Sequence, residues 1–271
     1  MINMTNLTDY LDRISIIKAL SFFLLIMLVL TLVPMVSNID LGSLSFKFIL
    51  YLVMLFFFIY KFKSISFEDS SPWDAFKNDF NSLFEVSKLH HILFIIIANI
   101  LFVSAIYFLL SYLASWSLIS FDAPLFGDFS NLDIDVVSIY FLTVVILSPI
   151  IEESLFRGIF LRRFNLELKN LTLAILISSL LFGICHNFGG ILGAILFGTC
   201  VSILYIKSKN ILVPIFAHFL NNLISFLLAL SGLEYFIISS RPVIISIIVL
   251  AILTNFLLFR AIIKEWPKEF K

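Results

Sequence analysis

Long uninterrupted apolar runs restrict what this chain can fold into more than any other feature of its sequence. The run from Ala19 to Val36 contains no charged residue, and about 20 such residues are enough to cross a bilayer as a helix. Across 271 residues, 61% are hydrophobic and 13% are charged, against about 45–50% and about 25% in an average soluble domain. This composition excludes an ordinary soluble enzyme, a disordered protein and a free nucleic-acid-binding protein. It indicates that the chain is embedded in a lipid bilayer and interacts with its lipids.

Eight stretches have the length and apolar character of membrane-spanning helices. They are Ile16–Val36, Leu44–Tyr60, Ile92–Ile119, Val136–Phe160, Leu171–Phe188, Ile191–Ile206, Ile211–Ser231 and Val243–Ile263. The sequence therefore predicts an all-α, polytopic integral membrane protein with about eight transmembrane helices.

The distribution of basic residues predicts the orientation of these helices. If the N-terminus is cytoplasmic and eight spans alternate, sixteen of the eighteen Lys and Arg residues lie on the cytoplasmic side, and only Lys47 and Arg241 do not. Short cytoplasmic loops carry an excess of Lys and Arg, so we expect both termini to be cytoplasmic.

The longest connection, residues 61–88, is expected to form a cytoplasmic amphipathic segment along the inner interface. A plain solvated loop is the alternative. The apolar anchors of the amphipathic segment would be Trp73, Phe76, Phe80 and Phe84.

A few ionisable side chains remain inside the predicted spans, where each Arg, Lys or Asp costs about 2.5–3.5 kcal/mol at mid-helix. Such residues mark candidate functional sites because a chain without a use for them would not retain them in lipid. With Asn222, which lies one helical turn after a histidine, they come from the fourth, fifth and seventh spans. The set is Glu152, Glu153, Arg157, His186, His218 and Asn222.

The two neighbouring glutamates are expected to point in different directions. Glu153 and Arg157 are four residues apart and can pair on one helix face. Glu152 is rotated by about 100° from Glu153 and should face another neighbour, where a lone carboxylate would suit a proton acceptor. In the alternative interpretation, both glutamates simply pair with Arg157, and the segment alone does not choose between the two.

The histidines and the asparagine supply the other chemical groups of the predicted site. Phe182 precedes His186 by one helical turn, and His218 shares a helix face with Asn222. One carboxylate, two imidazoles and an amide could activate water and stabilise an oxyanion. The same groups could instead hold zinc. The chain contains no H-E-x-x-H motif, which excludes a site of the zincin type.

Three motifs, each inside a predicted span, resemble those of one protein family. In chain order they are Glu152-Glu153-x-x-x-Arg157, Phe182-x-x-x-His186 and His218-x-x-x-Asn222. Together they resemble the CPBP family of intramembrane proteases, which includes the type II CAAX prenyl endopeptidases and the ABI group associated with bacteriocin processing and immunity. The resemblance covers about Val136 to Ser231. It implies a catalytic core of helices 4–7 in residues 136–231. The pattern of spans leaves helices 1–3 with the 61–88 loop in residues 1–135, and a last helix with a cytoplasmic tail in residues 232–271.

The resemblance also implies roles for individual residues in an intramembrane endopeptidase. Glu152 matches the glutamate that activates water, and His186 matches its partner. His218 and Asn222 match a pair that stabilises the oxyanion or helps to hold a metal. The remaining motif residues look supporting: Glu153, Arg157 and Phe182. The family is described both as glutamate proteases and as metalloproteases, so zinc held by Glu152, His186, His218 and Asn222 is an open alternative.

Other functions would use the same polar residues. A small-solute transporter could line its pathway with them, although the internal repeats of many transporters are missing. A non-proteolytic immunity or scaffold protein could keep the fold, and two intramembrane histidines could ligate a b-type haem. The many Ile, Phe, Asn and Lys residues suggest an AT-rich bacterial source. We therefore expect a plasma-membrane protein that processes a pheromone, bacteriocin or lipoprotein-related peptide instead of a prenylated protein.

Overall fold

The structure is a computed structural model that describes residues 5–37, 42–65, 67, 71–122, 125, 129 and 132–268. The regular elements in these ranges are helices, which confirms the all-α prediction. In chain order they are α1 (Leu7–Asp12), α2 (Ile16–Ser37), α3 (Ser43–Ser64), α4 (Pro72–Val86), α5 (Leu89–Ser115), α6 (Ile134–Leu168), α7 (Leu171–Ile184), α8 (Ile191–Ser208), α9 (Leu212–Leu230), α10 (Leu233–Ser239) and α11 (Arg241–Glu265).

Six of the described helices are long and apolar enough to cross a membrane, and these are α3, α5, α6, α8, α9 and α11. The chain is therefore a multi-pass membrane protein. The apolar stretch Ile16–Leu32 of α2 and the whole of α7 are shorter than the other six. The count of eight spans and the cytoplasmic placement of both termini stay predictions.

The predicted amphipathic segment is present as helix α4. A capping box begins it, because the Ser71 side chain accepts the Asp74 N–H while the Asp74 carboxylate accepts the Ser71 N–H. Pro72 follows in the first turn, where a missing N–H costs no helical hydrogen bond. Trp73 and Phe80 are exposed along one face, as is Phe84. Phe76, which was predicted as a fourth anchor, is half-buried and packs against the core.

Helix α6 is the longest element, and its hydrogen bonding switches from α-helical to π-helical twice. Two π-helical segments, Phe141–Leu147 and Ser154–Leu161, flank a short α-helical piece, Ser148–Glu153. Such π-turns are rare and frequently occur at functional sites. With 35 residues, α6 is about 50 Å long and extends beyond a hydrocarbon core of about 30 Å. The predicted end at Phe160 was wrong, because the helix continues to Leu168 through a polar stretch outside the apolar run.

Helix α7 is shorter than predicted because the chain turns before the apolar run ends. It ends at Ile184 instead of Phe188, and a short 3₁₀ turn, Phe188–Gly190, leads into α8. Gly183 lets the end of α7 approach α8 closely, since a Cβ there would lie 2.3 Å from Ile195 Cγ1. His186 consequently lies in the connection between α7 and α8, two residues after the end of α7.

Candidate active site

Glu152 lies on the α-helical piece of α6 between the two π-helical segments, and it is partly buried. Its Oε1 accepts a hydrogen bond of 2.5 Å from the Tyr51 hydroxyl of α3 and one of 2.6 Å from the Ser148 hydroxyl. Both hydroxyl-bearing residues are buried. Neither of these bonds uses Oε2. The carboxylate is therefore held in place through Oε1, and Oε2 can accept a hydrogen bond from another group.

Glu153 points away from this pair of hydroxyls and forms a separate buried cluster. Its Oε2 lies 3.1 Å from Arg157 Nη1, and neither side chain is exposed to solvent. Its Oε1 accepts a hydrogen bond of 2.8 Å from His218 Nδ1, which joins α6 to α9. The ion pair predicted from the four-residue spacing is present, and Glu152 has hydroxyl partners of its own. The arrangement therefore agrees with two different environments for the two glutamates.

The Phe182 ring joins the buried cluster to both histidines. The Arg157 guanidinium carbon lies 4.4 Å from the centre of this ring. The ring centres of His186 and His218 lie 4.8 Å and 5.7 Å from it. Both histidines therefore lie next to the same ring, although His186 follows the end of α7 and His218 lies within α9.

Each histidine has one ring nitrogen fixed by an acceptor. His186 Nδ1 lies 2.9 Å from the Phe182 carbonyl oxygen, and a carbonyl only accepts, so this nitrogen donates. His218 Nδ1 donates to Glu153 in the same way. In the neutral tautomer of each ring, Nε2 is then left as an acceptor. His186 is exposed at the end of α7, whereas His218 is buried.

The charges around Glu152 extend beyond the residues singled out from the sequence. Glu152 interacts electrostatically with His218, Lys47 and His186, and Lys47 Nζ lies 5.4 Å from the centre of the Tyr51 ring. Sequence reasoning missed Lys47, Tyr51 and Ser148 as members of this site. The one available signal was that Lys47 is one of only two basic residues on the predicted outer side.

Asn222 is anchored to α6 at a different level from His218. Its Nδ2 donates a hydrogen bond of 2.8 Å to the Val144 carbonyl in the first π-helical segment. Its Oδ1 accepts a bond of 3.3 Å from the Asn221 amide, whose own oxygen accepts from Asn99 on α5. One N–H of Asn222 is therefore engaged by the protein, and the amide has a second N–H.

The predicted zinc ligands have suitable donor atoms but are not gathered into a metal site. Carboxylate oxygen and imidazole Nε2 are ligands that zinc accepts, and zinc-binding histidines usually donate their other N–H to such acceptors as Glu153. Nevertheless, among the described residues no three His, Cys, Asp or Glu side chains are placed to hold a metal ion. The arrangement does not fit a preformed zinc site, and zinc stays the alternative to a metal-free glutamate mechanism.

Comparison with known proteins connects this geometry to one family. Residues 135–224, about a third of the chain, match the family model of the Rce1-like type II CAAX prenyl endopeptidases, which is a family of proteases. The matched stretch includes Glu152, His186, His218 and Asn222. Comparisons with curated proteins and with solved structures gave no match. Residues 135–224 are thus similar to the type II CAAX prenyl endopeptidase family, as the three motifs indicated.

Proposed function

We propose that this protein is an intramembrane endopeptidase that hydrolyses a peptide bond in a hydrophobic or membrane-associated protein or peptide. The observation that carries the proposal is the separation of the two glutamates. Glu153 is occupied by Arg157 and His218, whereas Glu152 is held by two hydroxyls and interacts with both histidines. A carboxylate in that position is suited to act as a general base on water.

Glu152 and His186 are proposed to activate the water. The hydroxyls of Tyr51 and Ser148 fix the carboxylate through Oε1, so Oε2 is the oxygen that takes the proton. His186 presents Nε2, because its Nδ1 is bonded to the Phe182 carbonyl. The water, once deprotonated, attacks the scissile carbonyl carbon, and the proton passes to the departing amine.

His218 and Asn222 are proposed to stabilise the negative charge that develops on the scissile carbonyl oxygen. His218 Nδ1 donates to the buried Glu153 carboxylate, so in the protonated ring Nε2–H is the donor for the oxyanion. Arg157 balances the charge of Glu153. The second N–H of Asn222 is a further donor, since the first is bonded to Val144.

The protein is further proposed to have eight spans with both termini in the cytoplasm of a bacterial cell. This topology places sixteen of the eighteen basic residues on the cytoplasmic side, as the positive-inside rule favours. It requires α2 and α7 to serve as spans in addition to the six longer helices. Peptide pheromones, bacteriocins and lipoprotein-related peptides are the proposed substrates.

A comparison of cells that carry the wild-type protein or Glu152→Gln tests the proposal. The amide keeps the size of the side chain but cannot take the proton, so a substrate should accumulate uncut in the membrane or secreted proteome. Glu85→Gln, which changes an exposed carboxylate on α4, is the matched control and should behave as wild type. Indistinguishable proteomes for wild type and Glu152→Gln, with both proteins folded at equal levels, would overturn the proposal.

A further inference from the structure

Polar contacts gather several helix ends at one end of the helix bundle. The Asp79 carboxylate of α4 accepts a hydrogen bond of 3.0 Å from the Leu7 N–H of α1. The Asp79 carbonyl accepts one of 2.7 Å from the side chain of Asn210, two residues after α8. Arg162 of α6 pairs with Asp12 of α1. These helices therefore meet at one end of the bundle, which we call the basic end.

Three further helices can be oriented relative to the basic end. Helix α3 ends there, because the centre of the Phe62 ring in its last turn lies 5.7 Å from that of Tyr10 in α1. Helix α11 ends there, since Lys207 in the last turn of α8 pairs with Glu265. Helix α5 begins there, because His91 in its first turn interacts electrostatically with both residues of that pair. At the opposite end, which we call the far end, α3 and α11 begin and α5 ends.

Exposed polar side chains border Glu152 on the side of the far end. Lys47 lies one helical turn nearer the start of α3 than Tyr51, which is a hydrogen-bond partner of Glu152, and Lys47 is exposed. Cys185 follows the end of α7 and is exposed as well. Cys185 interacts electrostatically with both Glu152 and Lys47, so these three side chains border one space.

The connection between α7 and α8 also lies at the far end. Gly189 in this connection packs beside the last part of α5, since a Cβ there would lie 3.8 Å from Leu110 Cδ1 and 3.1 Å from Phe121 Cε2. His186 and Asn187 in the same connection are exposed. Polar side chains are costly in lipid. An exposed imidazole and amide therefore indicate that this side of the site is in contact with water.

Packed side chains separate Glu152 from the basic end. Glu153, Arg157 and Leu161 follow one another along α6 toward that end, and none of them is exposed to solvent. His218 of α9, which binds Glu153, is also buried. A cavity of about 370 Å³ lies between α1, α4, α6 and α9, but its walls are almost entirely apolar and do not include Glu152. The polar approach to Glu152 is therefore from the far end.

The basic residues indicate which side of the membrane each end faces. In the proposed topology the basic end is cytoplasmic, and Lys47 and Arg241 are the only cations on the other side. We propose that the substrate reaches Glu152 from the non-cytoplasmic side, so that the substrate is a peptide segment exposed on that side. This inference deepens the proposed function and rests on it and on its topology.

The native cysteines allow a test that does not require cleavage. Cys185 is exposed and Cys200 is buried, so a small, charged, membrane-impermeant methanethiosulfonate should react with Cys185 alone. In right-side-out membrane vesicles that contain the full-length protein, we expect Cys185 to react as completely as in detergent. Cys185→Ser should lose the labelling. Glu152→Gln should be labelled like the wild type, so a failure of the proposed proteolysis would leave this result unchanged.

The matched control places a thiol at the basic end. Ser64→Cys in the Cys185→Ser chain changes an exposed residue at the end of α3 and should be labelled in inside-out vesicles but not in right-side-out ones. Labelling of Cys185 in inside-out vesicles only, or in neither kind, would overturn the inference. Labelling of the Ser64→Cys thiol in right-side-out vesicles would reverse the topology and overturn it as well.

A second reporter examines the position of the base itself. Glu152→Cys in the Cys185→Ser chain should be labelled from the same side as Cys185. A folded Glu152→Cys variant that reacts in inside-out vesicles only would show that the path to the base starts in the cytoplasm, and would overturn the inference even if Cys185 is labelled from the other side. If this variant does not fold, the labelling of Cys185 decides the test.

Discussion

Replacing Glu153 by Gln should destabilise the protein strongly, because this carboxylate balances a buried charge. Glu153 and Arg157 are both fully buried, and the amide would leave the guanidinium uncompensated. Removing one partner of a buried ion pair costs about 3–5 kcal/mol. Within the described part of the chain, Nε and Nη2 of Arg157 have no hydrogen-bond acceptor that could take over. The contact with the Phe182 ring, about 0.5–2 kcal/mol, is present before and after the change.

The assay is the thermal unfolding midpoint of purified variants in one detergent. At about 2–4 °C per kcal/mol for a chain of this size, Glu153→Gln should lower the midpoint by about 6–20 °C. The double variant Glu153→Gln/Arg157→Met should regain part of that loss, because no unpaired charge remains. A Glu153→Gln midpoint within about 2 °C of the wild type would refute the reasoning, as would a double variant that merely adds the two single losses.

Two further predictions concern pH and metal. Burial raises the pKa of Asp79 to about 6, above its value in the unfolded chain. The protonated carboxyl group therefore stabilises the folded state below about pH 4, and this stabilisation is lost as the pH rises through about 6. Asp79→Asn should therefore raise the unfolding midpoint at pH 7.5 but not at pH 4; an equal change at both pH values would contradict this. A chelator should leave cleavage of the substrate found by proteome comparison intact, because the described His and Glu side chains form no three-ligand group. Loss of cleavage that only added zinc restores would contradict this prediction and indicate that zinc is required.

Local patterns in the sequence predicted much of the fold. Apolar runs identified the six helices that can span a membrane, because helix length and hydrophobicity are read directly from consecutive residues. The four-residue spacing of Glu153 and Arg157 predicted their ion pair for the same reason, since one helix fixes both side chains.

Contacts between distant parts of the chain could not be predicted in this way. Tyr51 lies 101 positions from Glu152, inside an apolar run where a tyrosine gives no sign of its partner. The bond between His218 and Glu153 likewise depends on how α6 and α9 pack. The predicted end of α7 was wrong because hydrophobicity continues past Ile184, whereas the helix ends there, beside the close contact between Gly183 and α8.

The two π-helical segments of α6 make the winding of this helix as important as the identity of its residues. Each π-turn contains an additional residue compared with an α-turn, so the direction of every later side chain depends on whether the π-helical winding is kept. If Phe141–Leu147 wound as an ordinary α-helix with the same residues, Glu152 would rotate by about 100° relative to the start of the helix. The helix would remain intact while the carboxylate no longer faced Tyr51. Loss of one residue from this segment would have the opposite effect, because the shortened segment could wind as an α-helix with Glu152 still directed at Tyr51.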